Sequence, residues 1–189
     1  VDIDNEGKLR MDQFEDLLTP RTKLVAVTQA SNVLGTINPV KEICKMAHDN
    51  SSLVLVDGAQ SVPHMPVDVR DMDCDFLMFS GHKMLAPTGI GCLYGKLDLL
   101  ESMEPFMLGS DQIKEVYLDR TTFRESPWKF EPGTPNFGDA IALGAAVDYL
   151  QKIGMKNIRE HEKELLSYAL KRMKELGNIK IYGPTDPEI

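Results

Sequence analysis

The sequence predicts an α/β fold with a mainly parallel sheet and flanking helices. Four short apolar runs, none of them strictly alternating, are typical of strands that are covered on both faces. A helical pattern separates the first two runs, and this strand–helix–strand order predicts a right-handed parallel crossover. Polar residues with reactive groups directly follow three of the runs. The predicted strands are Leu24–Val27, Leu53–Val56, Phe76–Phe79 and Ile90–Tyr94.

Two helices are predicted in the first third of the chain. Met11–Leu18 leads into the first strand. Pro39–Asn50 joins the first strand to the second, and proline suits the first turn of a helix. Four apolar residues of this second helix have the spacing i, i+3, i+4, i+7, which places them on one face. They are Val40, Ile43, Cys44 and Ala47.

The second half of the chain has a less regular pattern. Lys96–Trp128 lacks clean periodicity, so loops and short helices are expected there. Asp139–Leu150 is apolar nearly all round, which predicts a buried helix. Asn157–Leu176 is amphipathic and is followed by Gly177, a typical helix end. Ile179–Tyr182 is typical of a short strand. A domain boundary is expected at Gly154, dividing residues 1–153 from residues 154–189.

Composition argues against several classes of protein without excluding a local basic pocket for a phosphate. The 189 residues are 42% hydrophobic, which is enough for a substantial core, and the net charge of −8 argues against nucleic acid or an anionic membrane as the main partner. No apolar run is long enough to span a membrane, and no signal peptide is visible. The three cysteines are widely spaced, which favours a reducing cytoplasmic setting over disulfides or a metal site.

Reactive side chains follow three of the predicted strands. The segments are Thr28–Asn32, Asp57–Gln60 and Ser80–Lys83. Open α/β sheets bind ligands at the carboxyl ends of their strands. If these strands are parallel neighbours, the three segments converge on one crevice with an acid, an amine, an imidazole, hydroxyls and amides.

The pair of Lys83 and Asp57 points to pyridoxal phosphate (PLP). A lysine at such a site can trap a carbonyl group, and the aldehyde of PLP forms a Schiff base with a lysine amine. An aspartate at the neighbouring strand end suits the protonated pyridine nitrogen of the same cofactor. Each residue alone is weak evidence, because an aspartate after a strand is often only a turn residue. The joint pattern is much stronger than either part.

Several longer sequence words resemble the class V aminotransferase-fold family. The match is closest to its SUF-type cysteine desulfurases and selenocysteine lyases, and it covers nearly the whole chain in order. The resemblance implies the type I fold of PLP-dependent transferases. Residues 1–153 would be the C-terminal half of the large PLP-binding domain, and residues 154–189 the beginning of a smaller C-terminal α+β domain. The matching words are Ser31–Thr36, Val56–Gln60, Phe79–Lys83, Pro87–Gly91 and Trp128–Asn136.

The resemblance also implies a role for each matching residue. Lys83 would hold the cofactor and move protons, and His82 would assist it. Asp57 would pair with the pyridine nitrogen. Gln60 and Asn32 would lie near the ring hydroxyl, Asn32 also near the substrate carboxylate, and Ala59 beneath the ring. Ser80 and His82 would bind the phosphate. Thr134 would reach the phosphate of a neighbouring subunit, which implies a homodimer.

The resemblance implies removal of sulfur from L-cysteine, giving alanine and a protein persulfide for iron–sulfur cluster assembly through an acceptor or scaffold protein. The family's desulfurases need a cysteine nucleophile on a C-terminal loop, and none matches here. Cys44, Cys74 and Cys92 are expected to be core residues. The family's N-terminal phosphate loop and its carboxylate-binding arginine would lie before Val1 and after Ile189, so this piece alone is expected to be inactive.

Other functions remain open from the sequence. A selenocysteine lyase, a kynureninase-like enzyme or an epimerase-like enzyme would use the same cofactor residues. A non-catalytic dimerisation or scaffold segment is the alternative from a different class. The substrate that the whole protein turns over would separate these possibilities.

Overall fold

The computed structural model describes residues 1–189 as a four-stranded sheet with helices, a separate hairpin and a helical C-terminal part. The strands are β1 (Leu24–Thr28), β2 (Leu53–Asp57), β3 (Phe76–Ser80), β4 (Gly91–Gly95), β5 (Ile113–Val116) and β6 (Thr121–Phe123). The helices are α1 (Met11–Leu17), α2 (Val40–Asp49), α3 (Val69–Met72), α4 (Leu97–Ser102), α5 (Phe137–Ile153) and α6 (Met155–Glu175). Short 3₁₀ turns occupy Gly81–Met84, Ser110–Gln112 and Trp128–Phe130.

The main sheet has the order β1-β2-β3-β4. The β1–β2 and β2–β3 pairs are parallel, and the β3–β4 pair is antiparallel. The prediction of a mainly parallel sheet is therefore confirmed, and its first three strands are adjacent. Because β1, β2 and β3 all run the same way, their carboxyl ends lie at one edge of the sheet.

The core lies between α2 and the sheet. All four residues of the predicted apolar face of α2 are buried. Val54 and Val56 of β2 are fully buried in the same cluster, together with Cys74 and Leu77. The spacing of apolar residues in the sequence thus predicted the packed face of α2 correctly.

Replacing Ile43 of α2 with alanine tests this core. Ile43 is 1% exposed, and we expect Ile43→Ala to lower the free energy of unfolding by about 2 to 5 kcal/mol, because it removes buried methylene groups and leaves a cavity. Chemical denaturation of the full-length protein measures the effect. The control is Glu42→Ala, which alters the neighbouring exposed residue. Equal stability of the two variants would contradict the assignment of this core.

Three features differ from the expectations. Ile179–Tyr182 is not a strand, because no other strand pairs with it. Between Lys96 and Trp128 the structure has a two-stranded β5–β6 hairpin in addition to the expected short helices. A hairpin this short lacks the long alternating pattern that would reveal it in the sequence.

Helix α5 is also less buried than its composition predicts. Only Ala146 and Leu150 of this helix are buried. The reason is that α5 packs mainly against α6 and the 3₁₀ turn at Gly81–Met84. Four of its large apolar side chains are exposed, namely Phe137, Ile141, Tyr149 and Ile153. No helix in the structure combines the length and the hydropathy that a membrane span requires.

Candidate active site

The carboxyl edge of the sheet brings together the three polar segments that the sequence singles out. Asp57, the last residue of β2, pairs with Thr28 of β1 and with Met78 of β3. Backbone bonds continue the contact beyond the strands, from Gln29 N–H to the Asp57 carbonyl at 2.9 Å and from Gly58 N–H to the Met78 carbonyl at 2.8 Å. The predicted convergence of the strand ends is therefore confirmed.

Asp57 presents a half-buried carboxylate at this edge. Its Oδ1 accepts a hydrogen bond from the Ala59 N–H at 2.9 Å, as in an Asx turn. This bond fixes the carboxylate next to the buried Ala59. Since a carboxylate has two oxygens, Oδ2 keeps its capacity for a cationic N–H donor.

Lys83 lies on the 3₁₀ turn that starts directly after β3. The turn can begin there because residue 81 is glycine. A Cβ at that position would lie 2.8 Å from Ile90 Cγ2 and 2.9 Å from the Ile90 carbonyl oxygen. Lys83 and His82 are exposed, and Ser80 is half-buried at the strand end. The amine is therefore accessible to a carbonyl compound.

The backbone next to Lys83 is strained. Leu85 ends the turn with φ of 70°, in the left-handed region that residues with a Cβ disfavour. Such strain is found most often at functional sites, where the surrounding structure maintains it. The strain supports a functional role for the turn that carries Lys83.

Gln60 lines a cavity of about 260 Å³ beside these strand ends. Ser31, His64, Arg159 and Glu162 also line this cavity. Asn32 follows Ser31 and lies exposed in the turn after β1. The cavity thus joins the segments after β1 and β2 to helix α6.

His64 and Glu162 are two residues of this cavity that the sequence did not reveal. His64 has the pattern of an ordinary loop residue, yet its Nδ1 lies 2.7 Å from Glu162 Oε1. This side-chain contact links the segment after Gln60 to α6. The two residues are 98 positions apart, so no local sequence pattern could have paired them.

Thr134 is not gathered with the other candidates. It is exposed in the loop before α5. The Nδ2 of Asn136 donates to the Gly89 carbonyl at 3.3 Å, which holds this loop near the segment that follows Lys83. Contact of Thr134 with a neighbouring subunit remains a prediction.

The cysteines fit their expected roles only in part. Cys44 and Cys74 are buried core residues. Burial raises the pKa of Cys44 to about 12 and also raises the pKa of Cys74, so neither thiol is a ready nucleophile. Cys92 is exposed, so its assignment to the core is wrong. It lies on β4, an outer strand of the sheet, where the neighbouring elements leave it uncovered.

The residues at this edge have the chemistry that PLP requires. An accessible primary amine on Lys83 suits an aldehyde, and the fixed carboxylate of Asp57 suits a protonated pyridine nitrogen. Ser80 and His82, which precede Lys83 in the chain, supply a hydroxyl and an imidazole, which are donors suited to a phosphate. All four come from the ends of two adjacent parallel strands. The donor set therefore fits this cofactor.

Comparison with known proteins gives relatives along almost the whole chain. A probable cysteine desulfurase of Halalkalibacterium halodurans is 52% identical over 182 residues, covering 96% of this chain and 45% of that protein. A cysteine desulfurase of Haloferax volcanii is 50% identical over 184 residues, covering 97% of this chain and 43% of that protein. The chain therefore spans less than half the length of the curated relatives it matches.

Solved structures agree with this result. The apo structure of a cysteine desulfurase from Thermococcus onnurineus superposes with a TM-score of 0.90 at 38% identity, covering 100% of this chain and 47% of that one. An S-sulfonic acid form of a cysteine desulfurase from Escherichia coli gives a TM-score of 0.87 at 35% identity, covering 98% of this chain and 47% of that one. The expected type I fold of PLP-dependent enzymes is confirmed.

The family model for class V aminotransferases matches residues 1–189. Members of this family depend on PLP, in agreement with the donor set at the sheet edge. The resemblance that the sequence words carry is thereby confirmed. The chain belongs to the class V aminotransferase family.

Proposed function

We propose that the protein is a PLP-dependent cysteine desulfurase, which releases sulfur from L-cysteine to give L-alanine and a protein-bound persulfide. The observation that carries the proposal is the placement of an accessible Lys83 amine and a fixed Asp57 carboxylate at one edge of a parallel sheet. The names of the most similar curated relatives support the choice of substrate.

Each side chain at the edge has a task in this proposal. Lys83 would anchor the cofactor and afterwards move the α-proton of the substrate. Asp57 keeps the pyridine nitrogen protonated, and Ser80 and His82 bind the phosphate. Gln60 and Asn32 would bond the ring hydroxyl. The bound cofactor supplies an electron sink for the negative charge that develops at the α-carbon.

The sulfur acceptor in the reaction is a cysteine thiol of the whole protein. The carbon–sulfur bond of the substrate breaks, the substrate sulfur joins the protein sulfur, and the former substrate carbon takes a proton to become the methyl group of alanine. Burial raises the pKa of Cys44 and Cys74, and desolvation of the thiol also raises the pKa of Cys92, which argues against each of the three as this nucleophile. We place the nucleophile outside these residues and expect this piece alone to lack turnover.

The organisation of the whole protein is also part of the proposal. Residues 1–153 belong to the large PLP-binding domain, and residues 154–189 begin the smaller C-terminal domain. A homodimer is supported by the exposed apolar residues of α5, which follows the loop that carries Thr134. The persulfide serves iron–sulfur cluster assembly through an acceptor or scaffold protein. Three free thiols support a reducing cytoplasmic location.

The substrate is tested by supplying L-cysteine to the full-length protein with PLP and a thiol reductant. We expect alanine and sulfide to appear in equal amounts, because each turnover releases one of each. L-selenocysteine and L-kynurenine serve as competing substrates, and L-serine, which has oxygen in place of sulfur, is the control. Turnover of another amino acid without alanine from cysteine would reassign the enzyme within its family.

A further inference from the structure

Asp75 occupies the opposite end of β3 from Lys83 and is the only buried acidic residue of the chain. It is 3% exposed and directly precedes Phe76, the first residue of β3. Strand β3 then runs to Ser80, after which the turn with Lys83 begins. At about 3.3 Å per residue, Asp75 lies about 16 Å from the end of the strand. Nothing in the proposed reaction uses it directly.

Asp75 is bound to both neighbouring strands of β3. Its N–H donates to the Val54 carbonyl at 3.1 Å, and its Oδ2 accepts from the Val54 N–H at 2.7 Å. On the other side, the Lys96 N–H donates to the Asp75 carbonyl at 3.0 Å, directly after β4. One residue thus joins the backbones of β2, β3 and β4.

The side chains of Lys96 and His48 complete the cluster around Asp75. Lys96 Nζ lies 2.9 Å from Asp75 Oδ1 and 2.8 Å from Asp73 Oδ1. His48 of α2 places Nε2 2.9 Å from Asp75 Oδ2 and Nδ1 3.5 Å from Asp73 Oδ2. The Asp75 cluster, as we name Asp75, Asp73, Lys96 and His48, therefore ties α2 to the same end of the sheet.

The apolar residues of β3 do not specify their own register. Phe76, Leu77, Met78 and Phe79 are all apolar, and only three residue pairs join β3 to β2. A slip of one residue would still place apolar side chains on both faces, whereas it would move every side chain to the opposite face. It would also remove Met78 from its place beside Asp57. A slip would break the side-chain contacts of Asp75 together with the five residue pairs that join β3 to β4.

We propose that Asp75 is a positioning residue, which sets how far β3 advances along the sheet and thereby places Lys83 relative to Asp57. The effect passes through β3 itself, since Met78 pairs with Asp57 at the far end. The role of Lys83 in this inference rests on the proposed function, while the control of β3 register does not.

The test compares Asp75→Asn with Asp71→Asn in the full-length protein. Asparagine keeps the shape of Asp75 but removes its charge. Asp71 is an exposed carboxylate with its own lysine partner, Lys41, so Asp71→Asn is the matched control. Two readouts are measured. They are the pH midpoint of the visible absorbance band of bound PLP and the hydrogen exchange of β3 and of the Gly81–Met84 turn.

For Asp75→Asn we expect a shift of the band's pH midpoint by at least half a pH unit and at least tenfold faster exchange in β3 and the Gly81–Met84 turn. Asp71→Asn should leave both readouts as in the wild type. The proposal would be overturned if Asp75→Asn folds with lower stability but leaves the band and the exchange at the turn unchanged. Asp75 would then stabilise the fold without positioning the turn.

A second variant tests the positioning role of Asp75 if Asp75→Asn does not fold. His48→Gln removes one contact of Asp75 from a half-buried position, and we expect about threefold faster exchange at the Gly81–Met84 turn. Unchanged exchange there would refute the positioning role. A wild-type protein without a visible band would refute the proposed function instead, and exchange at the turn would still decide whether Asp75 controls it.

Discussion

The Lys83→Ala variant of the full-length protein should lose the visible absorbance band that we expect of the wild type with PLP. The band arises from the bond between the cofactor aldehyde and a lysine amine, and alanine has no amine. Alanine release from cysteine should fall by about 10³-fold, because the variant loses both the anchor and the group that moves the α-proton. Absorbance spectra and a timed alanine assay measure these effects.

Two further variants separate the chemistry of Lys83 from its charge. Lys83→Arg keeps the positive charge, but guanidinium does not replace a nucleophilic amine, so it should behave like Lys83→Ala. Lys156→Ala removes an exposed lysine of α6 and should keep the band and the activity. A yellow Lys83→Ala protein, or full activity in Lys83→Arg, would show that another lysine anchors the cofactor.

The Lys96→Met variant should lower the free energy of unfolding by about 3 kcal/mol. Lys96 is the lysine partner of the buried Asp75, and its loss leaves a buried carboxylate with only His48 and the Val54 N–H to compensate its charge. Lys41→Met is the matched control, because the Lys41–Asp71 pair is exposed on both sides and such pairs contribute under about 1 kcal/mol. Denaturant titration of both variants measures the difference. Equal losses would mean that burial of Asp75 has no energetic consequence.

The stability difference between the wild type and Lys96→Met should depend on pH in a defined way. Burial raises the pKa of Asp75, but hydrogen bonds from His48, Lys96 and the Val54 N–H outweigh it and lower the pKa below 3.8. This contribution is complete above pH 3.8 and is lost as the pH falls through the lower folded-state value. The hydrogen bond from Lys96 lowers the pKa of Asp73 in the same direction.

Lys96 limits the same contribution at high pH. Burial lowers the pKa of Lys96, but its bonds to Asp73 and Asp75 outweigh burial and raise the pKa above 10.5. Its stabilising effect is complete below pH 10.5 and is lost as the pH rises through the folded-state value. We therefore expect a constant difference between about pH 4 and 10, with a decrease on either side. The groups that face the cluster are those within it and the thiols of Cys44 and Cys74.

Local patterns in the sequence predicted most of the sheet and its packed helix. The positions of β1, β2 and β3 followed from short apolar runs, and the buried face of α2 followed from the i, i+3, i+4, i+7 spacing. These predictions succeeded because strand and helix periodicity are local properties. The prediction of a buried α5 was wrong, because burial depends on which elements cover a helix as well as on its composition.

The candidate site also has features that local sequence patterns predict and features that they do not. The sequence by itself determined which residues end the strands, and thus the set of Lys83, Asp57, Ser80 and Gln60, because strand ends and reactive side chains are both visible in local order. Only the tertiary structure decided which distant residues meet them. His64 reaches Glu162 across 98 positions, and Asp75 contacts Val54 of β2, His48 of α2 and Lys96 directly after β4. Such contacts arise when the chain folds back on itself, and no single stretch of sequence encodes them.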